Sequence, residues 1–193
     1  MNASDLDPAA CAVLLTLSFV LAGACQAVWL ASPRSWRFSW PLDGHRTLGG
    51  RRLLGANKTA RGFLVMVPAT SVAFMAVGEW LTFGGRGVWA YGPVGYGVLG
   101  LVAGLGFMAG ELPNSLLKRQ LDIAPGTSAR GALAGPVFFV LDRVDSLVGM
   151  LVALAAVVPV PSLTVVYVLV VGPLLHGLFS VITFRLGGKA RAA

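Results

Sequence analysis

Long apolar runs separated by short polar segments set the pattern of this chain. Five runs, at roughly 9–31, 62–83, 93–112, 135–158 and 162–183, approach the ~20 residues that a helix needs to cross a bilayer. The pattern predicts an all-α, polytopic integral membrane protein, with residues 1–193 forming a single transmembrane domain of about five helices. Two of the polar segments, 32–61 and 113–134, are long. The other two, 84–92 and Pro159-Val160-Pro161, are short turns.

Charge orients the runs. Segment 32–61 holds Arg34, Arg37, Arg46, Arg51, Arg52, Lys58 and Arg61, and segment 113–134 holds Lys118, Arg119 and Arg130. The C-terminal tail adds Arg185, Lys189 and Arg191. The N-terminal tail and the Pro159–Pro161 turn hold no basic residue, and the 84–92 turn holds Arg86 alone. Positive loops stay on the cytoplasmic side. The expected topology therefore puts the N-terminus outside, the C-terminus and both long loops in the cytoplasm, and the chain in the cell (plasma) membrane as a multi-pass protein.

Composition agrees. Of 193 residues, 56% are hydrophobic and 12% charged, with a mean hydropathy of +0.77. A soluble domain carries about a quarter charged residues. The net charge of +7 sits in the loops between membrane runs, so no nucleic-acid partner is expected. Cys11 and Cys25 both lie in the first apolar run. The "LAGAC" ending at Cys25 looks like a lipoprotein cleavage site, but no Lys or Arg precedes it, so the run reads as a retained helix.

Glycines crowd the third run, at 92, 95, 97, 100, 104, 106 and 110. "GYGVLG" (95–100) spells a dinucleotide-binding pattern but lacks the strand that such a loop must follow. Gly100-x-x-x-Gly104 and Gly106-x-x-x-Gly110 instead fit close helix packing, within the chain or against a second copy in a homodimer.

The chemistry lies where polar residues interrupt apolar ones. Asp142, Arg143 and Asp145 stand inside "PVFFVLDRVDSLVGMLVALAAVV", where each charge costs on the order of 2.5–3.5 kcal/mol. The two aspartates, at i and i+3, share a helix face, and Arg143 points elsewhere. Glu111 ends the third run at about the same depth. Three carboxylates converging there suit Mg²⁺, which takes one or two carboxylates together with substrate phosphates. A plainer reading is a buried ion pair of Asp142 or Asp145 with Lys118 or Arg119. Ser115, Lys118 and Arg119 share one helical turn in "NSLLKRQLDIAPG" (114–126).

The first long loop contains "GGRRLLGANKT" (49–59), close to a phosphate-binding P-loop, but with Lys58-Thr59 two places late. Its glycines and exposed N–H groups, with Asn57, Lys58, Thr59, Arg51, Arg52 and Arg61, suit an anion nest. Alternatively the loop is a basic surface lying on anionic lipid. Asp43 is the acidic candidate of this loop.

Three stretches, "LDGHRTLGGRRLLGANKTARGF" (42–63), "GELPNSLLKRQLDIAPG" (110–126) and "GPVFFVLDRVDSLVG" (135–149), resemble the signature segments of the CDP-archaeol synthase family. Ser115, Lys118, Arg119, Asp142, Arg143 and Asp145 also match the S-x-x-K-R and D-R-x-D elements of phosphatidate cytidylyltransferases. The Lys-Asp and His-Gly-Gly elements of those longer enzymes fall on Ala124-Pro125 and Val137-Phe138-Phe139 here, which favours the compact archaeol branch. Glu111 stands where the family typically has aspartate.

The resemblance implies a CTP-dependent nucleotidyltransferase of phospholipid biosynthesis. From CTP and a membrane lipid phosphate it would make a CDP-activated lipid, of CDP-archaeol or CDP-diacylglycerol type, and pyrophosphate. Lys118, Arg119, Asp142 and Asp145 would be catalytic, and Asp142, Asp145 and Glu111 would hold Mg²⁺. Lys58, Asn57, Thr59, Arg61, Arg51, Arg52, Ser115 and Arg143 would bind nucleotide or phosphate, with the active site at the cytoplasmic face. Two rivals differ in class. A CDP-alcohol phosphotransferase would use Asp43-Gly44, but no further acid follows until Glu79. A small ion-coupled transporter would use Asp142 and Asp145 as its coupling site.

Overall fold

A computed structural model describes residues 3–127, 129 and 131–185. Arg130, Lys189 and Arg191, invoked above for orientation, lie outside the described residues, as does the side chain of Arg185. Among the described residues five α-helices form: α1 (Pro8–Ala31), α2 (Ala60–Phe83), α3 (Pro93–Gln120), α4 (Ala134–Ala155) and α5 (Ser162–Arg185). By length and composition α1, α2 and α3 can cross a membrane, and α5 contributes a shorter apolar stretch, Ser162–Leu175. α4 carries the charges at 142, 143 and 145.

Start signals match the helix ends. Asp7 caps α1 by accepting from the Ala9 N–H at 2.9 Å, and Pro8 takes the first position, where a missing N–H costs nothing. α3 opens with Pro93 in the same way. Its far end differs from the sequence expectation. The apolar run stops near 112, yet the helix continues through Pro113 to Gln120. The last two turns are polar because they face charged groups of α4 rather than lipid.

α3 is the central helix, packed on α2 by one face and on α4 by another, while α1 lies against α2 and α5. Its glycines make both contacts close. A Cβ on Gly100 would stand 2.6 Å from the Ser71 Cα of α2, and one on Gly110 would stand 2.5 Å from the Asp145 carbonyl of α4. Gly106 meets Ala153 and Gly149 in the same manner. Both glycine pairs are thus used within one chain, on opposite neighbours. Missing side chains let backbones approach, and van der Waals contact then replaces the hydrophobic drive that a lipid solvent cannot supply.

Polar anchors tie the end that holds the short turns. Tyr96, fully buried, donates to the Trp89 carbonyl at 2.6 Å, and Trp89 Nε1 donates to the Pro159 carbonyl at 2.9 Å. Thr164 Oγ1 donates to the Pro8 carbonyl at 3.0 Å, joining α5 to the start of α1. The two long loops gather at the opposite end.

Gly149→Ala should force α3 and α4 apart and cost about 1–3 kcal/mol, as overpacking does. Gly23→Ala, which meets no atom within 4 Å, should leave stability unchanged or raised. Thermal unfolding of the detergent-solubilised variants checks the contrast.

Candidate active site

The first long loop folds on its own carboxylate. A two-residue turn at Gly49-Gly50, with φ of 58° and 79°, joins β1 (Thr47–Leu48) to β2 (Arg51–Arg52). Both positions need the left-handed region, which explains a Gly-Gly pair between short strands. The near P-loop is therefore a hairpin followed by a second turn at Gly55, where φ is 90°. Inside the hairpin the buried Asp43 accepts from Arg52 Nη2 at 2.6 Å and from the N–H groups of His45, Leu54 and Gly55 at 3.1, 3.2 and 3.3 Å. Burial pushes its pKa up. The Arg52 hydrogen bond, the Leu54 and His45 N–H groups and the Arg52 charge outweigh burial and hold it at about 2.

The loop is also latched to its neighbours. Arg51 bonds Asp122 and the Gln120 carbonyl at the end of α3. Leu42 N–H donates to the Lys58 carbonyl at 2.9 Å, and Ala60 N–H to the Trp40 carbonyl at 2.9 Å, closing the loop base on the start of α2. Arg61 stacks its guanidinium 4.4 Å above the Trp36 ring. Arg51 and Arg52, expected on phosphate, thus serve the loop's own structure, and Asp43 is its internal anchor.

The acids lie one layer deeper, between α3 and α4. Glu111, Asn114 and Lys118 follow one another at helical spacing, so one face of α3 presents all three to α4. Asn114 Nδ2 donates to Asp142 Oδ1 and to Asp145 Oδ2, each at 2.7 Å. Lys118 forms an ion pair with Asp142 and lies 5.5 Å from the Phe138 ring centroid. Ser146 N–H donates to Asp145 Oδ1 at 2.7 Å, and Ser146 Oγ reaches Glu111 Oε1 at 3.0 Å. Lys58, from the first loop, pairs with Glu111. A continuous chain of charged contacts therefore runs from that loop to the aspartates.

Among the expected residues, Lys58, Glu111, Lys118, Asp142 and Asp145 come together. The ion pair of Lys118 with Asp142 is also the plainer reading of these charges. Arg119 and Ser115 are buried beside them on α3. Arg119 Nε and Nη1 have no hydrogen-bond partner among the described residues, and its Cδ lies under Gly55. Asn57 and Thr59 flank Lys58 at the edge of a cavity that Glu111 also lines. Arg143 is not brought to the cluster. It donates to the Phe139 carbonyl at 2.8 Å and stacks on that ring, because i+1 on the helix faces away from the two aspartates.

Of the three acids expected together, Glu111 meets Asp145 through the shared Ser146 hydroxyl, at 3.0 and 3.3 Å. Glu111 is engaged by Lys58 and Ser146, and no group of three or more acidic, His or Cys side chains is set to hold a metal among the described residues. Asp142 and Asp145 do converge, on a single amide nitrogen. The Asn114 carbonyl Oδ1 beside them is buried without a partner, and no Lys or Arg bonds Asp145 among the described residues. Hard oxygen donors gathered at one place fit a divalent cation, even with Lys118 paired to Asp142. A cavity of about 470 Å³ lies elsewhere, beside the hairpin against Asp43, Arg46, Leu53, Leu54 and Leu116. None of the α4 acids lines it, so the chemistry is assigned to the charged cluster.

Sequence reasoning missed Asn114 and Ser146. Asn114 lies three residues after Glu111 and four before Lys118, a face that the helix period alone reveals once α3 is known to continue past Pro113.

Trypsin susceptibility should track Asp43. Its folded pKa is depressed from 3.8 to about 2, so its contribution to loop stability is fully present above pH 4 and lost as pH falls towards 2. Asp43→Ala should speed tryptic cleavage at Arg46, Arg51 and Arg52 at neutral pH, with α1–α5 intact by circular dichroism.

Comparison with known proteins matches this arrangement. The sequence pattern of the CarS-like family, described as CDP-archaeol synthase, covers residues 38–191. The CDP-archaeol synthase of Halobacterium salinarum is 34% identical over 161 residues, 77% of this chain and 81% of that protein. That of Methanopyrus kandleri is 38% identical over 110 residues, 56% of this chain and about half of that protein, 53%. A solved structure of an intramembrane enzyme for archaeal membrane lipid biosynthesis superposes with a TM-score of 0.62 at 26% identity, covering 88% of this chain and 92% of that one. The bundle, its charged α3–α4 seam and this breadth of similarity make the chain an enzyme of the CDP-archaeol synthase family.

Proposed function

We propose that this enzyme transfers the cytidylyl group of CTP to a membrane lipid phosphate, giving a CDP-activated lipid of the CDP-archaeol type and pyrophosphate. The observation that carries this reading is the pair Asp142 and Asp145, held on one amide nitrogen beside the buried Lys118, with the buried Arg119 next along α3 under Gly55. Two carboxylates for a cation next to two cations for phosphate is the electrostatic layout that phosphoryl chemistry requires.

An oxygen of the lipid phosphate attacks the α-phosphorus of CTP, and the bond to pyrophosphate breaks. The attacking group is already an anion, so no side chain needs to act as a base. Asp142 and Asp145, with the Asn114 carbonyl, are the residues that would hold Mg²⁺. When bound there, the ion supplies charge neutralisation at the phosphate oxygens. Arg119 offers unpaired N–H donors to phosphate. Lys118, which pairs with Asp142, would offer its ammonium to a phosphate oxygen were Asp142 to hold a cation. Lys58 exchanges Glu111 for the triphosphate, with Asn57 and Thr59 at its side, so the first loop and α3–α4 each supply part of the site.

The topology that goes with this has five membrane crossings, the N-terminus outside and the C-terminus in the cytoplasm, in the plasma membrane. The active site faces the cytoplasm, where soluble CTP meets a lipid whose tails stay in the bilayer. The clustering of Arg34, Arg37, Arg46, Arg51, Arg52, Lys58 and Arg61 between α1 and α2 supports that orientation. The saturation of Asp43 inside its loop speaks against an Asp-Gly-based phosphotransferase.

Radiolabelled CTP, purified enzyme, Mg²⁺ and a panel of lipid phosphates with ether-linked isoprenoid or ester-linked acyl tails test the reading. Label should enter the lipid fraction and pyrophosphate should appear. Failure with every lipid phosphate sinks the proposal. Asp142→Asn and Asp145→Asn should each lower kcat at least ~100-fold, the loss expected when a principal charge-stabilising group is removed. Arg143→Gln should remain within about threefold of wild type, as surface changes away from a site do.

A further inference from the structure

Gln26 is the polar residue that neither the family pattern nor the acid cluster absorbs. It lies in α1, outside the matched residues 38–191, in a helix whose other polar side chains are the small hydroxyls of Thr16 and Ser18 and which is able to cross a membrane. A polar side chain at such a place is costly and marks a functional site unless it finds a partner. The acceptor of Gln26 Nε2 is Met108 Sδ at 3.9 Å, and a thioether sulfur accepts only weakly.

The amide borders a cavity of about 160 Å³ between α1, α2 and α3. Phe63, Met108 and Leu112 make one part of its lining apolar, and Lys58, Arg61 and Glu111 make another part charged. Lys58 and Glu111 are also the first links of the chain to Asp145. The cavity therefore adjoins the reacting groups, on the side of α3 away from α4.

Its size and lining select an occupant. A drug-sized ligand needs roughly 300 Å³ or more, so neither a whole nucleotide nor an isoprenoid chain fits. The neck of a lipid phosphate does: a three-carbon glycerol unit whose phosphate turns to Arg61, with Nη1 buried and unpartnered among the described residues, and whose linkage oxygens only accept hydrogen bonds. A nucleobase edge would need several donors and acceptors in one plane. Gln26 itself meets a thioether, and the cavity's other neutral polar side chains, Asn57 and Thr59, belong to the first loop beside Lys58.

We infer that Gln26 and the cavity between α1, α2 and α3 bind the glycerol neck of the lipid phosphate, with the Gln26 amide donating to a linkage oxygen. The inference rests on the cytidylyltransferase reading for the identity of the lipid, and it assigns the lipid half of the site to a helix that the family pattern omits.

Gln26→Leu keeps the size and the helix while removing the donor. In full-length enzyme with Mg²⁺, it should raise KM for the lipid phosphate roughly three- to tenfold, the worth of one hydrogen bond, with KM for CTP and kcat within about twofold. Gln26→Glu, an acceptor facing acceptors, should do at least as much, and Gln26→Asn should recover part of the loss. A higher KM for CTP, or no change in either KM, overturns the assignment. Stabilisation of the protein by lipid phosphate alone, followed as a thermal shift without CTP, should be present in wild type and reduced in Gln26→Leu. An equal shift in both also overturns the assignment. Should the wild type transfer no cytidylyl group yet show a Gln26-dependent shift, the reaction is wrong and the lipid site stands.

Discussion

Everything at the working end of this protein depends on holding two carboxylates inside an apolar helix bundle. Asp142 and Asp145 repel one another on the largely apolar α4, and α3 brings compensating groups within bonding distance. Asn114 reaches both, and Lys118 pairs with one. That reach is short because α3 and α4 touch along Gly106, Gly110 and Gly149, with the Asp145 carbonyl against Gly110 itself. Close backbone packing and charge compensation are thus one constraint.

The same logic extends outward. Glu111 is shared between Ser146 on the α4 side and Lys58 on the loop side, which couples the hairpin loop to the acids through charged contacts. Rigidity of the loop comes from Asp43, whose oxygens are saturated by Arg52 and three backbone N–H groups. A buried carboxylate with that many donors is a structural fastener. A buried arginine such as Arg119, whose Nε and Nη1 have no partner among the described residues, is the opposite. The contrast between satisfied and unsatisfied polar groups separates scaffold from chemistry more clearly than residue type does.

Much of this was legible in the chain. Helix positions followed from apolar runs, because lipid and bundle interior impose the same composition over about 20 residues. The glycine spacing in α3 announced close packing, and the acids at 142 and 145 announced a site, because charges in an apolar run are too costly to lack a purpose. The three motifs identified the family before any contact was known. Less legible was the reach of α3: its polar continuation past Pro113 carries no apolar periodicity, although it holds Asn114 and Lys118.

By itself, then, the sequence determined the all-helical membrane class, the charged seam between the third and fourth runs and the family, since each depends on local composition or contiguous motifs. Only the tertiary structure decided which cations meet which acids. Arg51, Arg52, Lys58, Lys118 and Arg119 are equivalent in a list of charges. Yet packing turns the first two into loop braces, sets the next two on Glu111 and Asp142, and leaves the last with unpaired nitrogens. Those pairings span 9 to 71 residues of sequence and depend on helix approach distances that no local pattern encodes.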